Sequence, residues 1–302
     1  MPATAVDVSE LLDDLKERIR PLKTRMFPQQ VLLELSEAAL VGQAYSNGRV
    51  APVSINVPLP SLTIKQGMPI EVEPLADLIG DLLVRDGLID AYVMASLPQV
   101  AVDWRVIDWG EKEVPDNGVA ALRELAPDLG LPYGLEEAAM DLRPLPGRGG
   151  KHLLATTRRE VVEGWIQVFH QAGTNLDRLA CPQTCRLSAL EGLLVEMEPG
   201  ALVVLLTMKE QEPQLLAIRA GVPLFEWPLP EQAEAQVGEV ARCLAFLQRK
   251  FGAVERVELL LEGQLEGVEA LEEALGVEAV RVSTAPYGSL VMRGLAIPET
   301  TP

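Results

Sequence analysis

The chain has 302 residues, a length that predicts two domains or one fold with two lobes. Hydrophobic residues make up 48% of it and charged residues 23%, a balance typical of a globular protein with a sizeable core. Because the chain has 44 acidic and 26 basic residues, its formal net charge is −18. A field of that sign repels phosphate backbones and anionic lipids, which disfavours broad nucleic-acid binding and direct membrane binding.

Cysteine and histidine are too few and too scattered to predict a metal site. The three cysteines are Cys181, Cys185 and Cys243, and the two histidines are His152 and His170. A structural zinc site needs four clustered soft ligands, so we expect no metal. An odd, unpaired set of thiols fits a reducing compartment.

No segment of the sequence has the pattern of a targeting signal or a membrane span. The longest clean apolar run, Ala201–Met208, is too short to cross a bilayer and predicts a buried strand. We therefore expect a cytoplasmic protein with no direct membrane insertion.

An amphipathic helix is predicted near the N-terminus, within residues 1–27. Asp7 and Glu10 resemble a capping pair, and Pro21 ends the pattern. One face of the helix carries Val8, Leu11, Leu12, Leu15 and Ile19. That face predicts either packing on the body of the protein, which is the commoner case, or docking onto a partner.

The first half of the chain opens with three strands and then alternates helices and strands. Strands are predicted over Gln30–Leu35, Ala39–Tyr45, Arg49–Val57, Ala91–Leu97, Lys151–Thr157 and Leu176–Ala180. Helices are predicted over Val72–Arg85, Arg159–Gln171 and Cys185–Val195. Asn47-Gly48 predicts a two-residue hairpin turn, because both turn positions need positive φ.

The second half returns to the same order after Pro199-Gly200. Its predicted strands are Ala201–Met208, Gln214–Ala220, Val222–Trp227, Arg256–Leu261 and Glu278–Val282. Its predicted helices are Glu231–Phe251, Val268–Leu275 and Tyr287–Ala296. Each half therefore reads βββ-α-β-α-β-α, which indicates an internal duplication.

The duplication predicts an α/β fold of two similar lobes, with a small α+β subdomain inserted in the first. The predicted domains are an N-terminal helix (1–27), a first lobe (28–97 plus 151–198), the inserted subdomain (98–150) and a second lobe (199–302). In the insert, Val100, Val102, Trp104 and Val106 alternate along one face of a predicted strand.

Three stretches, taken in order, resemble parts of a known family. Ala91–Pro98, running into Trp104-Arg-Val-Ile, looks like the entry to that family's inserted subdomain. Its exit resembles Leu131–Asp141, Leu153–Val162 and the pair Ala172-Gly173 and Leu176-Asp177. The closing part resembles Glu239–Leu247 with Gly294-Leu-Ala296. The chain thus resembles the type IV pilus assembly protein PilM family and, more distantly, the cytoplasmic domain of GspL, from Gln29 to Ile297. This resemblance implies the actin-like (ribonuclease H-like) fold.

Nucleotide-binding members of that fold carry Asp-x-Gly turns that bring backbone N–H groups and a metal to the phosphates. The matching positions here are Glu34, Ser36 and Val41 in the first turn, Thr207 and Lys209 in the second, and Glu262 and Gly263 on the adenosine side. Ser36 adds a side chain where glycine allows close approach, and Val41 carries no charge. All three elements depart from the pattern, so we expect no enzyme activity and neither ATP nor Mg²⁺ as a cofactor.

Two groups of carboxylates leave other functions open. Glu34 and Glu37 have the chemistry of metal ligands, although solvated hairpin residues are the commoner case. Asp103, Asp108 and Asp141 in the insert have the chemistry of acid and base catalysts, although surface charges on strands are commoner.

The resemblance implies a non-catalytic cytoplasmic scaffold of a type IV pilus assembly platform. Its expected partners include other proteins of that platform. In the family, the short cytoplasmic tail of a membrane protein, PilN, binds in a groove between the first lobe and its insert, and the tail recruits the scaffold to the inner face of the membrane. The corresponding apolar residues here are Leu97, Pro98, Val100, Trp104, Trp165 and Phe169. The alternatives are an ATPase of the actin-like fold and a GspL-like secretion component.

Overall fold

Fifteen strands and seven α-helices make up the part of the chain that the structure describes. The structure, a computed structural model, describes residues 29–46, 49–110, 117–125, 129–145, 149–198, 200–208, 213–252, 256–265 and 267–298. The strands are β1 (Gln29–Leu35), β2 (Ala39–Ser46), β3 (Arg49–Pro58), β4 (Ile64–Lys65), β5 (Met68–Pro69), β6 (Tyr92–Ser96), β7 (Asp103–Asp108), β8 (Ala138–Pro144), β9 (Lys151–Arg158), β10 (Asn175–Ala180), β11 (Leu202–Met208), β12 (Gln214–Arg219), β13 (Val222–Pro228), β14 (Val257–Gly263) and β15 (Ala279–Arg281). The helices are α1 (Val72–Arg85), α2 (Gly118–Leu125), α3 (Arg159–Gln171), α4 (Pro182–Glu196), α5 (Ala233–Phe251), α6 (Val268–Leu275) and α7 (Leu290–Leu295).

The two large sheets share one topology. The first has the strand order β10-β6-β1-β2-β3, and the second, read in the matching direction, has β15-β14-β11-β12-β13. In each sheet the first three strands of the half are antiparallel, and the other two run parallel to the first strand. The duplicated βββαβαβα order predicted from the sequence is confirmed.

The central strands are buried because parallel strands of such sheets are covered on both faces. Val31, Leu32 and Leu33 follow one another in β1 and are each inaccessible to solvent. In β11 the whole run from Leu202 to Leu206 is buried. These continuous apolar runs, without alternation, are typical of the middle of a parallel sheet.

The inserted block forms a separate three-stranded antiparallel sheet with the order β7-β9-β8. The strand Lys151–Thr157 is predicted in the first lobe, but β9 pairs with β7 and β8, so that prediction is wrong. Its apolar residues Leu153, Leu154 and Ala155 fit either sheet. Register with β7 and β8 is a long-range property that the strand's own sequence does not specify.

The chain divides into two compact units that do not coincide with the halves. Unit 1 comprises residues up to Pro98 together with Val161–Ala180. It contains the first sheet, α1 and most of α3. Unit 2 comprises Gln99–Glu160 and the chain from Cys181 onward, and so contains the insert, α4 and the second sheet.

In unit 2 the second sheet carries apolar side chains on both faces. One face packs against α5 and α6 through Val240, Leu244, Leu247 and Leu271. The other packs against α4, α7 and the insert through Leu187, Leu190, Leu290 and Leu153. The core of unit 2 therefore lies in two layers, one on each side of β11.

Helices α4 and α7 cross at a glycine. A Cβ added to Gly294 of α7 would overlap the backbone carbonyl of Cys185 in α4. Helix α7 begins after Ser289, whose hydroxyl accepts a hydrogen bond from the Met292 N–H at 3.1 Å. The predicted start at Tyr287 is too early, because Gly288 has φ +88°, which is incompatible with a helical turn.

Most other predicted boundaries fall within a few residues of the observed ones, and α1 has the predicted span Val72–Arg85. The predicted N-terminal helix lies outside the described residues. The turn Asn47-Gly48 does too, although Ser46 and Arg49 pair across it as a two-residue connection requires. Within the described part of the chain, no helix is both long and apolar enough to cross a lipid bilayer.

Candidate functional site

The first phosphate turn predicted from the sequence lies between β1 and β2 and bonds to itself. The Ser36 N–H and hydroxyl both donate to the Ala39 carbonyl, at 3.1 and 3.0 Å. The Ala39 N–H in turn donates to the Ser36 hydroxyl at 3.0 Å. Glu34 and Val41 are paired in the β1–β2 ladder just before and after this turn. Two of the backbone donors that a phosphate would need are therefore already used.

Glu37, a candidate metal ligand, is tied to the β4–β5 turn. Its carboxylate accepts a hydrogen bond from the Gly67 N–H at 3.0 Å. The Gly67 carbonyl accepts another from the Trp165 indole N–H at 2.9 Å. Gly67 has φ +75°, the left-handed region that favours glycine. Glu37 and Trp165 thus hold the two polar groups of one glycine.

The second phosphate turn and the adenosine-side residues meet at Glu262, a buried carboxylate at the end of β14. One Glu262 oxygen accepts from the Thr207 hydroxyl at 3.0 Å, and the other accepts from the Leu290 N–H at 2.7 Å. A Cβ on Gly263, which has φ +94°, would lie 2.6 Å from the Met208 carbonyl oxygen. Gly263 is therefore required by the close approach of β14 to β11. Lys209 lies outside the described residues.

A groove of about 1020 Å³ runs along unit 2 between β7 of the insert and β13 of the second sheet. We call it the β7–β13 groove. Both strands lie at the edges of their sheets, because β7 ends the order β7-β9-β8 and β13 ends the second sheet. The insert side contributes Val100, Val102 and Trp104, and the sheet side contributes Pro223, Leu224 and Phe225.

A single carboxylate, that of Glu226 in β13, organises the polar side of this groove. One of its oxygens accepts from Gln99 at 2.7 Å and lies 3.6 Å from the Arg186 guanidinium. The other accepts from the Trp104 indole N–H at 2.8 Å and from Gln183 at 3.0 Å. Because these four donors come from the insert and from α4, Glu226 joins both to the second sheet. The network is structural, since each carboxylate oxygen is satisfied.

Some of the other charged side chains that line the groove have a partner within the chain, and some do not. Lys151 pairs with Asp108 at 3.6 Å, and Arg105 donates to the Gly130 carbonyl at 2.7 Å. For the carboxylates of Asp103 and Glu231, which also line the groove, no partner exists among the described residues. The groove therefore presents apolar walls with an excess of negative charge.

The thiols and the other carboxylates show no catalytic arrangement within the described residues. Burial raises the pKa of the Cys181 thiol to about 11, so it is protonated at neutral pH. Asp141 pairs with Arg143 at 2.6 Å on the surface. Asp108 also forms a surface ion pair, with Lys151 at 3.6 Å. No three histidine, cysteine or acidic residues of the described chain are grouped as metal ligands.

Comparisons with known proteins agree with this architecture. No protein-family model and no curated protein sequence matches the chain. Among solved structures, that of a PilM–PilN type IV pilus biogenesis complex matches with a TM-score of 0.71 and 22% identity, over 88% of this chain and 97% of that chain. A protein of Bacteroides thetaiotaomicron with an actin-like ATPase fold and unknown function matches with a TM-score of 0.53 and 11% identity, over 89% and 95%. This chain has the actin-like fold.

The predicted resemblance to PilM is confirmed as a similarity of fold. A weaker match, with a TM-score of 0.48 and 12% identity over 88% of this chain and 92% of the other, is to the cytoplasmic domain of EpsL, an inner-membrane component of the type II secretion system of Vibrio cholerae.

Four of the six residues predicted to bind a partner are buried, and two line the groove. Val100 is 56% exposed, and it lines the β7–β13 groove with the half-buried Trp104. Leu97 and Pro98 are buried in unit 1, where the Leu97 N–H donates to the Ala180 carbonyl. Trp165 and Phe169 are fully buried in unit 1, with their ring centroids 6.2 Å apart. A side chain with no exposed surface offers nothing to a partner.

Sequence reasoning missed the Glu226 network and the role of Glu262. Gln99, Gln183 and Glu226 stand far apart in sequence, and no local pattern links them. Glu262 lies near the end of the apolar strand Val257–Gly263 and is only 4% exposed. A charged residue at the end of an apolar strand is the one local signal in the sequence that indicates a structural role for Glu262.

Proposed function

We propose that the chain is a non-catalytic scaffold of a type IV pilus assembly platform, which acts at the cytoplasmic face of the membrane by binding the cytoplasmic tail of a PilN-like membrane protein. The fold similarity to a structure of a PilM–PilN complex supports the class of assembly. The observation that carries the binding proposal is the β7–β13 groove, with its exposed apolar wall and its unpaired carboxylates.

The groove suits a short, extended, basic segment. Val100 and Trp104 offer apolar surface on the insert side, and Phe225 offers it on the opposite wall. Asp103 and Glu231 would attract lysine or arginine side chains of the tail. An extended segment pays an ordering cost on binding, which a few buried anchors offset. The β7–β13 groove lies between the insert and the second sheet. It is therefore a different site from the groove between the first lobe and the insert that the resemblance implies, and that site stays a prediction.

The absence of catalysis is proposed from the self-satisfied nucleotide positions. Ser36 and Ala39 bond to each other, and Glu262 holds Thr207 and Leu290. On the adenosine side, a nucleotide approaching Glu262 would meet a buried negative charge. Binding would therefore require breaking these hydrogen bonds, and among the described residues of the two phosphate turns no lysine or arginine compensates for their loss.

We expect Mg-ATP to leave the melting temperature of the protein unchanged and to be hydrolysed no faster than background. The physical reason is the occupied donor set around Ser36 and Glu262. Differential scanning fluorimetry and steady-state phosphate release measure both quantities. Phosphate release that disappears in a Glu34→Ala variant would contradict the scaffold and favour an ATPase.

Tail binding is tested with a synthetic peptide of the cytoplasmic N-terminal segment of a PilN-like membrane protein from the same source. We expect Val100→Lys and Trp104→Ala each to weaken the peptide's affinity about tenfold or more. Val100→Lys places a positive charge on the apolar wall that faces a basic tail, while Trp104→Ala removes the aromatic surface of the insert side. Isothermal titration calorimetry measures the affinity.

The matched control is Val84→Lys, because Val84 is 62% exposed and lies in unit 1. It should leave the peptide affinity unchanged. Melting temperatures of all variants are measured in parallel, since Trp104 also packs against the core of unit 2. Unchanged affinity in both groove variants would remove the β7–β13 groove from the proposal.

A further inference from the structure

Four of the chain's few aromatic side chains are concentrated at β13 and the end of α5. The sequence has only five phenylalanines, four tryptophans and four tyrosines. The Phe225 ring centroid lies 5.5 Å from that of Trp227, nearly parallel at 17°, and 5.5 Å from that of Phe246. The fourth, Phe251, shares with Phe246 the Lys250 ammonium, which lies 5.5 Å from each ring centroid. All four belong to unit 2.

Two of these rings are exposed although the helix has a complete buried face without them. Val240, Leu244 and Leu247 of α5 are almost inaccessible and fill one core layer of unit 2. Phe246 lies off that stripe and is 38% exposed, and Trp227 is 42% exposed. Large exposed aromatic side chains that adjoin one another are typical of interaction surfaces, whereas single ones are common everywhere.

The end of α5 is locally basic in a strongly acidic chain. From Arg242 to Phe251 the helix has three basic residues and no acidic one, against a net charge of −18 for the whole chain. Arg242 is neutralised by Glu239, which also accepts the Trp227 indole N–H at 2.9 Å. Arg249 and Lys250 have no carboxylate partner among the described residues. The helix dipole favours cations there, but it does not explain exposed rings beside them.

We propose that Trp227, Phe246, Arg249 and Lys250 form a second docking surface, which binds an acidic segment of a partner protein through an aromatic or aliphatic anchor. We call it the aromatic–basic patch. It goes beyond the proposed function, because Trp227 and Phe246 do not line the β7–β13 groove and the charge it selects is opposite. An anchor packs on the Trp227 and Phe246 rings, while carboxylates of the segment meet Arg249 and Lys250.

The charges of the patch favour this occupant over three others. Two unpaired cations are too few to hold a nucleic-acid backbone against a net charge of −18. The same net charge opposes an anionic membrane, whose charge would face a broad area of the protein, whereas a short acidic segment contacts the patch alone. A symmetric dimer through the patch would place Arg249 and Lys250 of both copies together, and like charges at an interface are unfavourable. An acidic segment satisfies both the rings and the cations.

The test selects peptides from a random peptide library displayed on phage, using the full-length chain as bait. Selected sequences are synthesised, and their affinities are measured by fluorescence anisotropy at low and high salt. We expect enrichment of Asp and Glu beside Phe, Trp or Leu, and affinity that falls with salt. Phe246→Ala and Lys250→Glu should each weaken binding about tenfold or more.

Controls separate the patch from the rest of the molecule. Two variants at exposed residues of unit 1 should leave the peptide affinity unchanged. They are Ile166→Ala on α3, where Ile166 is 49% exposed, and Lys65→Glu in β4. Val100→Lys should also leave the affinity unchanged, so failure of the patch and failure of the β7–β13 groove give different results. Circular dichroism of each variant verifies that it is folded. The variant Phe246→Leu keeps an apolar side chain at this position and should therefore retain most of the peptide affinity.

Three results would overturn the proposal. The first is selected peptides without acidic enrichment, or peptides whose affinity neither Phe246→Ala nor Lys250→Glu changes. The second is self-association in sedimentation experiments that Phe246→Ala abolishes, which would make a second copy the occupant. The third is tighter binding of a single-stranded oligonucleotide than of any selected peptide, with the same dependence on Lys250.

Discussion

Replacing Trp165 by alanine is expected to lower the free energy of unfolding by about 3–5 kcal/mol, the usual cost of truncating a fully buried large aromatic side chain. Trp165 has no exposed surface, contacts Phe169 and donates its indole N–H to the Gly67 carbonyl at 2.9 Å. Truncation leaves a cavity and an unsatisfied carbonyl in unit 1. Urea unfolding followed by circular dichroism and calorimetry measures the loss.

The adjacent residue supplies a matched control on the same helix. Ile166 is 49% exposed, so Ile166→Ala should cost less than about 1 kcal/mol. Trp165→Phe keeps most of the volume and should cost about 1–3 kcal/mol, chiefly from the lost hydrogen bond. Equal losses for Trp165→Ala and Ile166→Ala would show that Trp165 is not a core residue and would return it to the candidate partner surface.

Replacing Gly294 by alanine is expected to destabilise unit 2 by about 3 kcal/mol, at the upper end of the usual cost of overpacking. The added Cβ would overlap the Cys185 carbonyl, which is backbone and has no rotamer to change. Relief requires α4 and α7 to separate, and both contribute to the core layer around Leu190 and Leu290. Calorimetry and urea midpoints measure the effect.

Gly192→Ala in α4 is the control and should act in the opposite direction. Nothing lies within 4 Å of a Cβ at Gly192, which is exposed and helical. Alanine there should stabilise the protein by about 0.5–1 kcal/mol through helix propensity. The same substitution, made in each of two packed helices, is thus expected to change sign. A loss at Gly192 as large as at Gly294 would contradict the crossing geometry.

The lobes were predictable because periodicity and punctuation agree along most of the chain. Val72–Arg85 combines a 3.6-residue apolar stripe with Gly87 as a stop, and its bounds are as predicted. The strand Lys151–Arg158 was placed in the wrong sheet for the opposite reason. Its buried run Leu153–Thr157 suits any central strand, and the choice of partner strands depends on residues distant in sequence.

The candidate site was less predictable than the fold, because apolar residues of the core and of an interface look alike in sequence. Trp165 was proposed as a partner contact, and the structure buries it completely. Val100 and Trp104 do line a groove, but its opposite wall comes from β13. Phe246 was visible as an aromatic residue outside the stripe of Val240, Leu244 and Leu247, and this off-stripe position is the one local signal of the aromatic–basic patch.

Strand β10 gives the first sheet a particular order of assembly during synthesis. It pairs with β6, yet the whole insert, Gln99–Glu160, separates the two strands in sequence. A chain that emerges from the ribosome N-terminus first exposes the unpaired edge of β6 until residue 180 has been made. Meanwhile β7, β8 and β9 pair only with one another, so their ladder can close early. The first sheet therefore has a high contact order, and its last strand closes after the insert has formed.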